Sequence, residues 1–315
     1  MQILSKETNI DFIGRRHLLV FLSAFLTAIS IYVWVQAGDA KFGVDFRGGF
    51  EYVVKFSGDV KLQDLRDGLK SGGFGDALVQ NFEGAQREFS IRLKADDNAK
   101  VDETSKKVKA EFAKLQGVTF EILKEDYVGP IIGDQIKRDG IKAFIVSLVG
   151  ILIYVTVQFN FTWALGAVLA LIHDAVIATG ATILFNIELS GATLAAVLTI
   201  TGYSVNDTII IYDRIRENLR EKERGGSAGK KGLAEKLKPM NLMQVMNFSI
   251  NQTLARTIIT SLTVVIVCLA LWLFGNSSVS ELAFTLLIGV ICGTYSTMFI
   301  ACPTILVLQK KVSTK

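Results

Sequence analysis

The chain has 315 residues, half of them hydrophobic and 20% charged, with a net charge of +4 and a mean hydropathy of +0.40. The small positive charge gives no ground for a nucleic-acid partner, because Lys and Arg follow membrane topology rather than forming one basic face. The averages hide two regimes: apolar stretches of about 20 residues that read as membrane spans, and polar segments between them.

Six such stretches occur, at 17–36, 140–158, 162–184, 191–213, 256–275 and 281–308. Residues 1–16, with Lys6, Arg15 and Arg16, form a basic N-terminus. The loop 214–255 and the tail 309–315 are also basic, with ten Lys/Arg against four Glu over 214–256. The connections 185–190 and 276–280 carry no Lys or Arg. The positive-inside rule therefore puts both termini and the basic loop in the cytoplasm and the polar block 37–139 outside. Span 1 carries the loosely cleavage-like Val35-Gln36-Ala37, but its apolar run is too long for a signal core and reads as a retained anchor.

The polar block begins with Gly43-Val44-Asp45-Phe46-Arg47-Gly48-Gly49. It continues as a β-type run (50–56), a helical run (62–69), two alternating strands (77–82 and 88–93) with a turn at Gly84, a helix (100–115) and a last strand (118–123). This β-α-β-β-α-β order predicts an α+β ferredoxin-like domain. It has no His and no nucleophile arrangement, so binding or coupling is expected there rather than catalysis. Tyr127-Val128-Gly129-Pro130-Ile131-Ile132-Gly133 then leads into span 2. Glycines so near the membrane surface suggest tight turns and close backbone approach, or simply a joint between domain and stalk.

Span 3 contains His173 and Asp174, roughly 18 Å in from its start at 1.5 Å per residue. The histidine would share a proton with Asp174 or bond a helix neighbour. Span 4 contains Thr199, Tyr203, Asn206 and Asp213 at helical spacing, with Ser204 and Asp207 on the adjoining stripe. A charge at bilayer depth costs about 2.5–3.5 kcal/mol even on lenient scales, which makes Asp207 a functional candidate. Arg256, at the cytoplasmic end of span 5 within Gln252-Thr253-Leu254-Ala255-Arg256-Thr257, is its nearest plausible counter-ion. A protonatable carboxylate facing a fixed cation is the minimal equipment of a proton-coupled switch; the same parts also make a static ion pair.

The remaining signals are bland. Cys268, Cys292 and Cys302 lie in predicted spans without metal-like spacing and read as packing. The run 225–231 resembles a phosphate loop but has the wrong spacing and no preceding strand, so it reads as a linker. No nucleotide site or other cofactor is expected, which leaves an ion gradient as the energy source. Gly289 and Gly293 form a GxxxG, a close-packing face.

The run GYSVNDTIIIYDRIREN (Gly202 to Asn218) closely resembles the span-4 signature of the SecF family of bacterial protein-export membrane proteins. GVDFRGG, YVGPIIG, the His-Asp of span 3 and QTLART resemble SecF motifs in the same order, so the resemblance covers nearly the whole chain. It implies half of a twelve-span RND-type transporter in the bacterial cytoplasmic membrane, completed by SecD and assisting the SecYEG channel. Proton flow would pull or release exported polypeptide on the outer face. It places the proton-relay Asp on Asp207 and the span-5 Arg on Arg256, with Asn206 and Asp213 in support. The other readings open are a half-size RND permease for a small molecule or lipid, and a structural assembly factor for the translocon.

Overall fold

The computed structural model describes residues 8–81, 87–94, 101–114, 118–225, 231–275 and 277–313. The turn expected at Gly84, the helix end at Leu115 and most of the linker 225–231 lie outside them. The first span is α1 (Arg16–Gln36), followed by a 3-10 turn at Gly38–Lys41 and the short α2 (Val44–Arg47).

The polar domain then runs β1 (Gly49–Phe56), α3 (Leu62–Ser71), β2 (Leu78–Asn81), β3 (Glu88–Leu93), α4 (Val101–Ala113) and β4 (Phe120–Val128). Its sheet has the order β2-β3-β1-β4 with every pair antiparallel, the split arrangement of a ferredoxin-like fold. Because strand side chains alternate in direction, Phe50, Tyr52, Val54 and Phe56 share one face of β1. They form a core with Ile91, Leu65, Leu69, Val108 and Phe112. Glu51 of β1 and Arg92 of β3 fall on the opposite face, and both are buried. That second face is turned toward the membrane helices.

The remaining spans are α5 (Pro130–Gln158), α6 (Phe161–Leu184), α7 (Gly191–Arg224), α9 (Leu242–Phe274) and α10 (Ser277–Ser296). A π turn at Thr297–Ala301 continues α10 into α11 (Cys302–Ser313). Six helical segments are long and apolar enough to cross a membrane. Helix starts follow local chemistry. Pro130 opens α5, Asn160 caps α6 by accepting from the Trp163 amide, and Ser190–Thr193 and Asn241–Gln244 form capping boxes for α7 and α9. Helices α6 and α10 are the most buried, whereas α1 and α5 expose most of their apolar surface.

The stretch read as a basic loop is largely helical. α7 continues to Arg224, α8 spans Lys231–Leu237, and α9 begins at Leu242. Strong helix formers and charge pairs three residues apart, Arg216–Asp213 and Arg214–Glu217, carry α7 beyond the apolar run. Asn218 of α7 donates to Ser249 and Gln252 of α9, tying the two extensions together. Asn247 and Asn251 of α9 hold the segment before α1 through the backbone of Ile10 and Phe12.

Candidate functional site

Asp207 lies in the middle of α7 and is 1% exposed. Its Oδ2 has no hydrogen-bond partner among the described residues. Arg256 projects from the exposed face of α9 and makes no ion pair within 4.0 Å among the described residues. It acts on Asp207 through space. Ser261, one α9 turn further into the membrane, lies beside the carboxylate, but its hydroxyl is hydrogen-bonded to Thr294 of α10 at 2.7 Å.

Asp174 is the opposite case. It is fully buried, and its carboxylate is saturated. Oδ2 accepts from Ser204 of α7 at 2.7 Å and from Ser296 of α10 at 2.8 Å, and Oδ1 meets Nδ1 of His173 at 3.0 Å. Ser204 thus serves Asp174 rather than Asp207. The other ring nitrogen of His173 is buried without a partner among the described residues, and its ring faces Tyr295, whose hydroxyl accepts from Ser23 of α1 at 2.9 Å.

The residues that complete this layer come from α10. Thr285, Thr294, Ser296 and Thr297 pair with Thr182 of α6, Ser261 of α9, Asp174 of α6 and Thr208 of α7 respectively. α10 and the π turn that follows it at Thr297 are therefore cross-linked by hydroxyls to three other helices, with Ser296 and Thr297 at the level of the buried carboxylates and Thr285–Thr182 more than two turns away. Such turns interrupt the helical ladder and occur often at functional sites. Sequence reasoning passed over this seam. The available signal was the unbroken run Thr294-Tyr295-Ser296-Thr297 inside an apolar span. Gly289 and Gly293 bring α10 against Ile200 and Ser204 of α7, so the GxxxG face serves this contact.

The other polar residues of span 4 are placed elsewhere. Thr199, Asn206 and Asp213 are exposed, and Tyr203 is half-buried with its hydroxyl unpartnered among the described residues. Asp213 pairs with Arg216 at 2.5 Å. Thr199, Tyr203, Asn206 and Asp213 recur at helical spacing and so line one outer face of α7.

The two glycine motifs flanking the polar domain form one joint. Gly48 has a φ of +75°, and a Cβ there would come within 2.7 Å of Pro130 Cα. Gly133 approaches the backbone of Phe46 and Gly48 as closely. Asp45 Oδ2 accepts from the Gly191 amide at 2.7 Å, at the N-terminus of α7, where a helix favours an anion. Gly129 stands as N-cap before Pro130, and Gly49 opens β1 opposite Val128.

A second contact joins the domain to the helices. Arg92 meets Glu51 at 2.9 Å, Glu188 of the α6–α7 connection at 3.2 Å and Glu281 of α10 at 2.8 Å. Lys124 of β4 adds contacts to Glu51 at 2.6 Å and Asp126 at 2.9 Å. Burial works to raise the Glu51 pKa, but Arg92 and Lys124 override it and hold the carboxyl below its ordinary range. Burial dominates at Glu188 and lifts its pKa despite Arg92 and Arg47, with Glu281 and Glu51 adding to the rise. No cluster of His, Cys, Asp and Glu suited to a metal ion occurs among the described residues.

Residues 107–311 match the family described as "Protein export membrane protein SecD/SecF, C-terminal". The chain is 35% identical over 312 residues to the protein translocase subunit SecF of Thermodesulfovibrio yellowstonii, covering 98% of each. It is 36% identical over 302 residues to that of Calditerrivibrio nitroreducens, covering 96% of this chain and 94% of the relative. The crystal structure of SecDF from Thermus thermophilus, a translocon-associated membrane protein, superposes with a TM-score of 0.83 at 30% identity over 98% of this chain. SecDF in its super-membrane-facing form gives 0.67 at 31% identity over the whole chain. The chain spans 40% of the length of each SecDF structure.

Proposed function

The chain belongs to the SecF branch of the SecD/SecF family of protein-export membrane proteins, and from that membership we propose that it draws on the proton motive force to assist Sec-dependent translocation. It is a multi-pass translocase subunit of the protein-export pathway, with half of an RND-type transporter fold and a SecD-type partner. In this reading both termini are cytoplasmic in the bacterial inner membrane, and the ferredoxin-like domain is outside. The complex works beside SecYEG on polypeptide emerging at the outer face. No cofactor takes part; the ion gradient supplies the energy.

One observation carries the reading. Two of the helices that line the buried polar layer, α7 and α10, also hold the polar domain near their outer ends. α7 begins at the Asp45–Gly191 contact, and Asp207 lies sixteen residues along it, about 24 Å at 1.5 Å per residue. α10 carries Glu281 near its start, against Arg92, and Ser296 and Thr297 in the polar layer. Protonating Asp207 removes a buried charge from the field of Arg256 and alters what α7 and α9 gain from their spacing, and α9 is tied to α10 through Ser261 and Thr294. A shift of α7 or α10 moves a contact of the polar domain. Each proton crossing a potential of 100 mV releases about 2.3 kcal/mol for such a shift.

The test is proton-dependent export by vesicles holding this chain with its SecD partner and SecYEG. Asp207→Asn is expected to abolish the dependence on the proton gradient while leaving insertion and SecD association intact. Export by the variant that responds to the gradient as the wild type does would remove Asp207 from the relay.

A further inference from the structure

A groove of about 660 Å³ opens between α1, α5, α6 and α7 at the membrane surface nearest the polar domain. Phe144, Ile172, Val176 and Leu194 supply apolar wall, and the volume falls within the roughly 300–1,000 Å³ of small-molecule sites. Ile172 is 40% exposed, so the groove is open sideways toward the hydrocarbon.

Its mouth is cationic. Lys41 and Lys137 both line it, and the Phe42 ring holds both ammonium groups, with Lys137 Nζ 4.0 Å and Lys41 Nζ 5.2 Å from the ring centre. Lys41 Nζ also sits 3.7 Å over Trp34 and donates to the Trp34 carbonyl at 2.9 Å. Neither lysine forms an ion pair with a carboxylate within 4.0 Å among the described residues. Partial burial, opposed by Asp39 and reinforced by Lys137, lowers the Lys41 pKa. Two neighbouring cations held by aromatic faces thus stand above an apolar slot with no carboxylate paired to either among the described residues.

We propose that this groove binds an anionic phospholipid, with an acyl chain between the helices and the phosphate on Lys41 and Lys137. A purely apolar helix from a partner subunit fills the slot but leaves both cations uncompensated; a free phosphate satisfies the cations and leaves the slot open. A lipid matches both halves, and the groove faces the phase where lipids are the solvent. Acyl chains in the bilayer are already surrounded by hydrocarbon, so the slot sets position while the lysines set preference. A basic residue near a membrane surface favours anionic lipid by about five-fold.

Trp34 reports on the site. The full chain carrying Trp163→Phe and Trp272→Phe keeps only that indole, and the Trp163 Nε1 has no hydrogen bond to lose among the described residues. In phosphatidylcholine vesicles, brominated acyl chains are introduced on phosphatidylglycerol or on phosphatidylcholine, and quenching is followed against mole fraction. Half-quenching is expected at a roughly five-fold or greater lower fraction of the glycerol lipid. Lys41→Gln with Lys137→Gln should bring the curves together. Lys137→Gln alone, which breaks no hydrogen bond among those described, should narrow the gap and serves if the double variant misfolds. Thr179→Phe, which fills the groove without removing either lysine, should also abolish the preference.

Coincident curves in the parent protein overturn the proposal, as expected if a helix covers the groove or bulk lipid alone touches Trp34. So does a preference that survives the lysine substitutions. Survival in Thr179→Phe shows surface attraction without groove binding, and loss on adding millimolar inorganic phosphate at constant ionic strength assigns the lysines to the free anion. Each of these also overturns it.

Discussion

Nη2 of Arg92, in β3 of the polar domain, lies 2.8 Å from Oε1 of Glu281, near the start of α10. Arg92 is buried and Glu281 half-buried, and Arg92 is the shared partner of two further carboxylates, Glu51 and Glu188. Removing one member of a buried ion pair typically costs about 3–5 kcal/mol, because the remaining charge is stranded. Arg92→Gln should therefore be the most damaging single change at this interface, since it leaves three carboxylates together. Thermal unfolding of the purified chain is expected to show a lower Tm for Arg92→Gln than for Glu281→Gln. Tryptic cleavage between the domain and α5 should increase only in the former. Equal, small shifts for both variants would mean that the contact is incidental.

The same cluster predicts a two-phase response to acid. Glu188 has a raised pKa in the folded chain, so its charge is a burden near neutral pH that is relieved as pH falls through the raised value. Glu51 has a lowered pKa; its contribution is present above the ordinary carboxyl range and is lost as pH falls through the depressed value. The groups facing Glu188 are Arg92, Arg47, Glu281 and Glu51. Mild acid should then tighten the contact and stronger acid should loosen it. Glu188→Gln is expected to raise the Tm at pH 7.5 and to shrink the gain on moving to pH 5.5. A lower Tm at both values would show that the charge of Glu188 is needed.

The two buried carboxylates should respond differently to the same substitution. Asp174 accepts from Ser204 and Ser296 and meets His173, and hydrogen bonds to a charged group contribute roughly 1.5–3 kcal/mol each. Asp207 Oδ2 has no such partner to lose among the described residues. Asp174→Asn should lower resistance to unfolding in detergent by at least about 2 kcal/mol, whereas Asp207→Asn should be neutral or stabilising. A variant silent for stability but dead for gradient-dependent export is what a relay residue gives. Equal destabilisation by both would make Asp207 structural.

Much of this was legible in the sequence, and the rest failed for identifiable reasons. Apolar run length gave six spans, and alternation gave the strand and helix order of the polar domain, because both depend on local periodicity. Asp207 stood out because a carboxylate is rare at that depth. The Arg92 cluster stayed hidden because Glu188 and Glu281 are ordinary loop and helix-start residues until the sheet is laid on them. The α10 hydroxyls were missed because Ser and Thr are common in spans, and their partners lie on other helices. The charged run 213–218 reads as a helix end that carries span 4 past the inner surface, but the continuation to Arg224 was obscured by the fall in hydropathy, although the helix ladder does not need an apolar face.

Gly48 provides the sharpest backbone test. At a φ of +75° a side chain is strained, and a Cβ would come 2.7 Å from Pro130 Cα and 2.8 Å from Pro130 N, atoms of a helix start that cannot swing aside. Gly48→Ala is expected to cost more than about 1 kcal/mol through the dihedral alone, with the clash adding to it. The strain falls on the joint that seats Asp45 against Gly191, so the effect should reach α7. Amide exchange at the start of α7 should accelerate in Gly48→Ala while the polar-domain core around Phe50 and Phe112 keeps its protection. Unchanged exchange at α7 would mean that the joint does not transmit to span 4. Loss of protection throughout the domain would mean that Gly48 serves its folding and nothing more local.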